Sequence, residues 1–328
     1  MNDPTQSDVA RLAGVSRGLV SLALSGSPRV APETRRRIVA AAEELGYTRN
    51  LGAATLASAR SPIVGVLLPN LRNPFFEAVV EAIQDAARAH ALLPLVATAS
   101  NDDARERAVI GRFQELRAAG AVLVSPFARA DALEAYAAQV PVVTVGSEAL
   151  SPRVDAVHVD EAAAADLLVD HLLGRGYRGI VHLSPRHGDA DPTVSVRRRE
   201  QLRAMAARGL APRCLEAEDD AGEVVRRLLA AERPAAPWAI TAHNDLMALD
   251  VVAALRAAGL VVGRDVGVTG FDDTYLAGRT EFSLTSVDQD PALLGGAALD
   301  LLVARQADPT RPGEDRVVAP RLTVRTSA

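Results

Sequence analysis

The sequence predicts a small all-α head followed by a larger two-lobed α/β body. Near its start, two short helical patterns flank a Gly-Val turn, which is typical of a helix-turn-helix. After Arg60, apolar runs alternate with helical patterns, and the alternation resumes after Asp160. This rhythm predicts two doubly wound parallel sheets. A chain of 328 residues is long enough for the head and both lobes.

The first two helices of the head are predicted from caps and apolar spacing. Ser7 and Ser16 stand where each would cap a helix. The apolar side chains that recur at helical spacing, and would share one core, are Val9, Leu12, Val15, Val20 and Leu24. The second helix is then free to enter a DNA major groove.

A third helix closes the head. Pro32 suits the first position of a helix, and Gly46 suits its end. The apolar stripe between them consists of Ile38, Ala41, Ala42 and Leu45. Residues 1–46 are therefore expected to form a helix-turn-helix domain.

Charge separates the head from the body. Residues 1–60 carry eight arginines against five carboxylates, whereas the whole chain has 36 basic and 41 acidic residues. The basic head thus precedes an acidic body, and a polyanion would be steered to the head. Double-stranded DNA is the expected partner.

Composition excludes several other classes of protein. All basic residues are arginine, which rules out a Walker P-loop, a Schiff-base lysine and a lysine general base. The single cysteine, Cys214, excludes an internal disulfide. No apolar run approaches the roughly 20 residues of a membrane span, and no signal peptide opens the chain. A cytoplasmic protein without membrane contact is expected.

Metal binding and catalysis are also not expected. His182, His187, Asp189 and Asp191 share a loop, but their spacing lacks the fixed geometry of metal motifs. No nucleophile elbow, phosphate loop or acid/base pair is visible. The chain is therefore expected to be neither an enzyme nor a cofactor carrier.

The body is predicted to consist of alternating strands and helices. The predicted strands are 63–69, 93–99, 121–125, 142–145, 180–184, 238–242, 266–270 and 321–325, and the predicted helices are 75–90, 103–119, 161–173, 197–208, 223–231 and 246–258. Ligands of such folds bind at the carboxyl ends of strands. The side chains predicted there include Asn70, Asn73, Phe75, Phe76, Ser125, Gly146, Ser147, His243, Asn244, Asp245, Asp272 and Asp273.

Several motifs, in this order, resemble the lac-repressor family of bacterial transcription regulators. They are Asp8-Val-Ala-Arg-Leu-Ala-Gly-Val-Ser16, Val30-Ala-Pro-Glu-Thr-Arg35, Leu45-Gly-Tyr47, Asn73-Pro-Phe-Phe76, Asn244-Asp-Leu-Met-Ala248 and Gly270-Phe-Asp-Asp273. The resemblance implies a homodimer whose subunits carry a DNA head, a hinge helix over 47–61 and a periplasmic-binding-protein-like sensor over 62–328. The expected N-lobe is about 62–160 plus 290–318, and the C-lobe about 161–289 plus 319–328.

The resemblance also implies which residues meet DNA. Base reading falls on Arg17, Gly18 and Leu22, of which arginine suits guanine and leucine a thymine methyl. Ser16, Ser21, Ser25 and Arg35 are expected at phosphates, although arginines 35–37 could equally be a solvated helix face. In the hinge, Ala53 and Leu56 would meet the minor groove, with an alanine-rich linker as the alternative.

For the cleft, the resemblance points to Asn73, Phe75, Phe76, Arg198, Asn244, Asp272 and Gln289, and Ser125 follows the third strand. Such a set suits a carbohydrate, because amides and a carboxylate bind hydroxyls and a ring covers an apolar sugar face. The expected function is a sequence-specific repressor controlled by this small effector. The alternative is a co-regulator of the same fold that responds to a protein partner.

Overall fold

The computed structural model describes residues 4–48, 61–148, 151–186, 191–218, 220–231 and 237–328. The chain forms two compact units, Met1–Ser61 and Pro62–Ala328. Among the described residues, no helix combines the length and apolar character needed to cross a bilayer.

The head contains three helices: α1 (Gln6–Ala13), α2 (Arg17–Leu24) and α3 (Pro32–Glu44). Thr5, not the predicted Ser7, caps α1 and forms a reciprocal capping box with Asp8. The first helix therefore begins earlier than expected. Ser16 caps α2 as predicted, through its hydroxyl and the Leu19 amide at 3.2 Å.

The core of the head is smaller than the sequence suggested. Val9, Val20 and Ile38 are completely buried. Leu12 was predicted to join them but is 47% exposed, because alanines fill the inner positions of α1 on either side of it. Pro32 opens α3 as expected.

The N-lobe is a six-stranded, fully parallel sheet with strand order β11-β5-β4-β3-β1-β2. Its strands are β1 (Ile63–Leu68), β2 (Leu93–Thr98), β3 (Gly120–Val124), β4 (Val142–Val145), β5 (Asp155–Val159) and β11 (Asp315–Val318). Its helices are α4 (Pro74–Ala89), α5 (Asp103–Glu115), α6 (Ala130–Ala137) and α11 (Pro291–Ala307). The near-continuous aliphatic runs of β1, β3 and β4 are buried, as parallel strands covered on both faces require.

The C-lobe repeats this order as β12-β10-β9-β8-β6-β7, but its edge strand β12 is antiparallel. Its strands are β6 (Gly179–Pro185), β7 (Cys214–Ala217), β8 (Trp238–Ala242), β9 (Val266–Phe271), β10 (Thr285–Asp288) and β12 (Arg321–Thr323). Its helices are α7 (Glu161–Gly174), α8 (Pro192–Ala207), α9 (Ala221–Ala231) and α10 (Asp245–Ala257). The chain passes between the lobes three times, from β5 to α7, from β10 to α11 and from β11 to β12.

Six elements of the body were predicted as neither helix nor strand, and α11 is the largest of them. Two adjacent glycines in its second turn weaken the helical signal. The structure explains one: a Cβ at Gly295 would lie only 2.7 Å from the Val79 carbonyl oxygen of α4. Gly295 therefore allows α11 to pack closely against α4, and Leu294 and Leu299 are buried in the shared core.

Candidate functional site

The first candidate site is the exposed face of α2. Arg17, Gly18 and Leu22 all lie on this face, and Leu22 is 41% exposed. A Cβ built at Gly18 meets no described atom within 4 Å. Packing within the head therefore does not require glycine at this position.

Of the residues expected at phosphates, Arg35 has a structural task inside the head. Its guanidinium donates to the Ala23 carbonyl at 3.2 Å and to the carbonyl of Ser27, and so ties α3 to the end of α2. Ser25 donates to the Leu22 carbonyl at 3.0 Å. Ser16 and Ser21 lie on α2 or at its cap, and Arg37 is exposed on α3. Ala53 and Leu56, expected in the hinge, lie outside the described residues.

The second candidate site is a cleft between the lobes with a volume of about 320 Å³. Seven of the eight residues predicted for the effector line it: Asn73, Phe75, Phe76, Ser125, Asn244, Asp272 and Gln289. The volume lies within the range of small-molecule sites. The strand ends of both sheets thus converge on one space, as the doubly wound pattern predicted.

Asp272 forms the centre of the cleft. Its two carboxylate oxygens accept hydrogen bonds from Asn73 Nδ2 at 2.7 Å and from Gln289 Nε2 at 2.6 Å. Burial raises the pKa of Asp272 to about 7, against the opposing charge of Arg197. Its φ of 108° is in a region that costs energy for any residue other than glycine. Such strain, held by surrounding hydrogen bonds, is typical of ligand sites.

Asn73 connects the two lobes. Its Oδ1 accepts from the Phe75 amide at 3.1 Å and caps α4 of the N-lobe, while its Nδ2 reaches Asp272 of the C-lobe. A second bond between the lobes runs from Thr193 Oγ1 to the Gly146 carbonyl at 3.2 Å. Both bonds join the two lobes directly.

The aromatic pair follows Asn73 on the first turn of α4. Phe75 and Phe76 pack edge to face, with centroids 5.8 Å apart, and both belong to the N-lobe core while lining the cleft. Nearby, Ser125 has a φ of 43°, and a Cβ at Gly146 would lie 3.0 Å from its hydroxyl. The N-lobe wall is therefore closely packed and uncharged at these positions.

The arginine of the cleft is Arg197, whereas the sequence analysis chose Arg198. Arg198 is absent from the cleft lining among the described residues and pairs with Glu216 at 2.9 Å. Arg197 lines the cleft, and its guanidinium carbon lies 3.5 Å from the centroid of the Phe271 ring. Adjacent helical positions point about 100° apart, so a difference of one residue changes the face completely.

The start of α8 contains the signal that was missed. The predicted helix began at residue 197, whereas α8 begins at Pro192 with Asp191 as its cap. Proline at the first position after a capping aspartate is a standard helix start. Extending the helix back to that start shows its inward face, which consists of Val194, Arg197, Gln201, Ala204 and Met205.

Asp245 supports the site from behind, and the sequence analysis gave it no specific role. It is fully buried and accepts from Ser286 Oγ at 2.6 Å and from the amide and hydroxyl of Thr274 at 2.7 and 2.8 Å. Burial raises the pKa of Asp245 to about 6. These bonds hold the turn that follows β9, and so they position Asp272.

The loop considered for a metal is only partly described, since His187 and Asp189 lie outside the described residues. His182 is buried on β6, where its Nδ1 lies 3.0 Å from Thr241 Oγ1. Burial lowers the pKa of His182 to about 3, so the ring is neutral near pH 7. Asp191 caps α8. The described members of the group thus have separate structural tasks.

Comparison with known proteins matches both parts of the chain. Residues 5–50 match the model of bacterial regulatory proteins of the lacI family, and residues 169–328 match a periplasmic binding protein-like domain. The chain is 30% identical over 330 residues to the HTH-type transcriptional regulator PtxS of Pseudomonas plecoglossicida, covering 98% of this chain and 95% of that protein. The chain belongs to the lacI family.

Two solved structures extend this result to the fold. A complex of the transcriptional regulator CelR with cellobiose has a TM-score of 0.72 and 28% identity, covering 99% of this chain and all of that one. The lac repressor dimer bound to operator and an anti-inducer has a TM-score of 0.85 and 23% identity, with 99% of each chain covered. This lacI-family member is a helix-turn-helix transcriptional regulator. PtxS and MalR of Streptomyces coelicolor, which is also 30% identical to this chain, are both named as HTH-type transcriptional regulators and not as enzymes, and the co-regulator alternative is not favoured.

Proposed function

We propose that this lacI-family regulator is a homodimeric repressor whose affinity for its operator is controlled by a carbohydrate bound between the lobes. The hydrogen bond between Asn73 and Asp272 carries the proposal, because it joins the two lobes inside the cleft. A ligand that binds these same groups competes with that bond. Such a ligand shifts the balance between lobe arrangements only through its different affinity for each.

The chemistry of the cleft supports a carbohydrate. Asn73, Asn244 and Gln289 offer both donors and acceptors, as paired hydroxyls require. Arg197 commits three of its five N–H groups to Glu161 and to the His243 carbonyl, which leaves two for a ligand. The cellobiose in the CelR structure is the same class of ligand.

The proposed operator reader is the helix-turn-helix domain over residues 1–46, joined to the sensor by residues 47–61. Arg17 stands at the start of α2, where it can form a bidentate contact with guanine O6 and N7. Leu22 can contact a thymine methyl, and Gly18 permits close approach. Arg37 is the better phosphate candidate within the arginine cluster, since Arg35 anchors α2.

DNA from beside the protein's own gene provides the direct test. Fluorescence anisotropy of full-length protein should show specific binding that weakens steeply as salt rises. Arg17→Ala should weaken specific binding roughly tenfold to hundredfold, from a bidentate contact worth about 1–3 kcal/mol. The matched control is Arg11→Ala, an exposed arginine on α1. Absence of specific binding, or equal losses in both variants, would contradict this assignment.

A second copy of the chain is the proposed partner in solution, as in the lac repressor dimer. The edge strand β2 leaves Leu93, Leu95 and Val96 exposed. An exposed apolar edge strand favours a covering partner. Light scattering after size exclusion should give twice the mass of one chain, and a monomer at micromolar concentration would contradict the proposal.

A further inference from the structure

The buried arginine of the cleft is already paired within the protein. Arg197 is only 4% exposed. Glu161 holds it in a two-pronged ion pair, with Nε to Oε2 at 3.0 Å and Nη2 to Oε1 at 2.6 Å. The Glu161 side chain is 11% exposed and lies in the first turn of α7, directly after the crossing from β5. The positive charge at the cleft floor is therefore neutralised before any ligand arrives.

Two more carboxylates face the same guanidinium. Asp191 and Asp272 are both buried. Burial by itself would lower the pKa of Arg197, but Glu161, assisted by the charges of Asp272 and Asp191, raises it. One buried cation thus stands among three carboxyl groups, of which Asp272 is partly protonated near pH 7 because burial raises its pKa to about 7.

The charged residues in the outer part of the cleft do not reverse this excess of carboxyl groups over cations. Its remaining charged lining consists of Arg72, Glu218 and Asp250, of which Arg72 is exposed. Glu218 pairs with Arg186 at 2.6 Å. Charges interact more strongly in a partly buried site than in water, so a ligand carboxylate or phosphate would be repelled.

We propose that Glu161 is a specificity-determining residue that excludes anionic ligands from the cleft and restricts it to polyols without negative charge. This inference rests on the proposed function, because it concerns the effector of the same cleft. Glu161 acts through Arg197: it uses the donors that would otherwise receive an anion, and it cancels their charge. The two N–H groups left on Arg197 suit neutral hydroxyl oxygens.

The test uses full-length protein and sets of sugars matched except for charge. Cellobiose, maltose, glucose and galactose are compared with glucuronate, galacturonate, gluconate and glucose 6-phosphate at constant ionic strength, by thermal shift and calorimetry. Uncharged probes that bind should do so at least tenfold more tightly than their anionic counterparts. Binding is assigned to the cleft when it is lost in the double variant Glu161→Leu/Arg197→Met, which replaces the ion pair by apolar side chains of similar size.

Glu161→Gln tests the residue itself. The substitution keeps the shape but removes the charge, so Arg197 becomes available to an anion. The variant should gain at least tenfold in affinity for gluconate or glucose 6-phosphate. Glu223→Gln, which changes an exposed ion-paired glutamate on α9, should bind like the wild type. An anionic probe that saturates the wild-type cleft, or identical profiles for Glu161→Gln and wild type, would overturn the proposal.

Two further outcomes are informative. If Glu161→Gln does not fold, the wild-type comparison decides alone, because saturable binding of any anionic sugar in the cleft contradicts the exclusion. If no sugar of any charge binds the wild type, the proposed carbohydrate function fails. Inorganic phosphate then tests the charge inference separately: stabilisation gained only by Glu161→Gln supports it, and equal behaviour of all variants overturns it.

Discussion

The two lobes share one strand order but differ in what their central strands carry. In the N-lobe, β1, β3 and β4 present aliphatic side chains such as Val66, Val122 and Val143 to the core. In the C-lobe, a row of polar residues crosses β6, β8 and β9 in register: His182, Thr241 and Thr269. The shared topology is therefore independent of which buried side chains fill it. The alternation of strands and helices along the chain produces both sheets, whereas the buried side chains of their central strands differ in polarity.

The same contrast holds at the cleft. The N-lobe supplies the neutral groups Asn73, Phe75, Phe76 and Ser125, while the C-lobe supplies Arg197, Asp191 and Asp272. The C-lobe wall thus supplies the buried charges of the cleft lining, whereas Arg72, the charged lining residue of the N-lobe, is exposed. The comparison also predicts where stability can be lost or gained.

The largest expected effect lies in the aliphatic N-lobe. Leu123 is completely buried on β3, and Leu123→Ala removes most of a packed side chain and leaves a cavity, which costs about 2–5 kcal/mol. Urea unfolding followed by circular dichroism measures this loss. The control is Leu93→Ala at a site that is 52% exposed. A loss below about 1 kcal/mol for Leu123→Ala would show that this lobe is not the close-packed one.

The next largest effect concerns the polar support of the C-lobe. A Cβ at Gly270 would overlap the Asp245 carboxylate and lie 2.8 Å from Leu284 Cδ2. Gly270→Ala should therefore cost about 1–3 kcal/mol. Trp238, the single tryptophan, is buried in the C-lobe and reports its unfolding by fluorescence.

Gly174→Ala is the matched control, because a Cβ there meets no described atom within 4 Å. It should be neutral, or stabilising by up to about 1 kcal/mol. Equal unfolding midpoints for Gly270→Ala and Gly174→Ala would disprove the tight contact at Asp245.

The third prediction concerns pH. Burial raises the pKa of Asp272 from its ordinary 3.8 to about 7, so the folded protein holds this proton more tightly than the unfolded chain does. The stability from Asp272 is complete below about pH 3.8 and is lost as pH rises through about 7. Wild type should therefore lose thermal stability as pH rises from 3.8 to about 7, and Asp272→Asn should lose less.

Asp245 remains in that variant, and burial raises its pKa to about 6. Part of the decrease in thermal stability with rising pH therefore persists. Asp85→Asn, an exposed carboxylate of the N-lobe, should leave the slope of the wild type unchanged. If the thermal stability of Asp272→Asn fell with pH as steeply as that of wild type, Asp272 would ionise in the folded protein without an energetic cost from burial.

The smallest expected effect is a gain in stability. The hydroxyl of Thr269 is buried and has no hydrogen-bond partner among the described residues. Thr269→Val removes this hydroxyl at nearly constant shape and should be neutral or stabilising by up to about 1 kcal/mol. Thr241→Val should instead destabilise by about 1–3 kcal/mol, since it removes the partner of His182. Chemical unfolding measures the free energy of unfolding of both variants. A larger loss for Thr269→Val than for Thr241→Val would contradict these assignments.

Local patterns were sufficient for much of the fold. The Ser16 cap and the Pro32 start depend on neighbouring residues, and the structure has them where they were expected. The alternation of strands and helices is also confirmed, although six elements of the body were not predicted. The errors arose where local signals compete. Thr5 and Ser7 can both cap α1, and only Thr5 forms the reciprocal box with Asp8.

The sequence by itself determined the helix-turn-helix, the two doubly wound lobes and most of the cleft, because strand ends of parallel sheets meet at one edge. Tertiary structure alone decided which arginine enters the cleft and which residues hold it. Asn73 and Asp272 are 199 positions apart, and the Arg197 to Glu161 pair joins two helices. Such contacts depend on packing between distant segments, and no local periodicity encodes them.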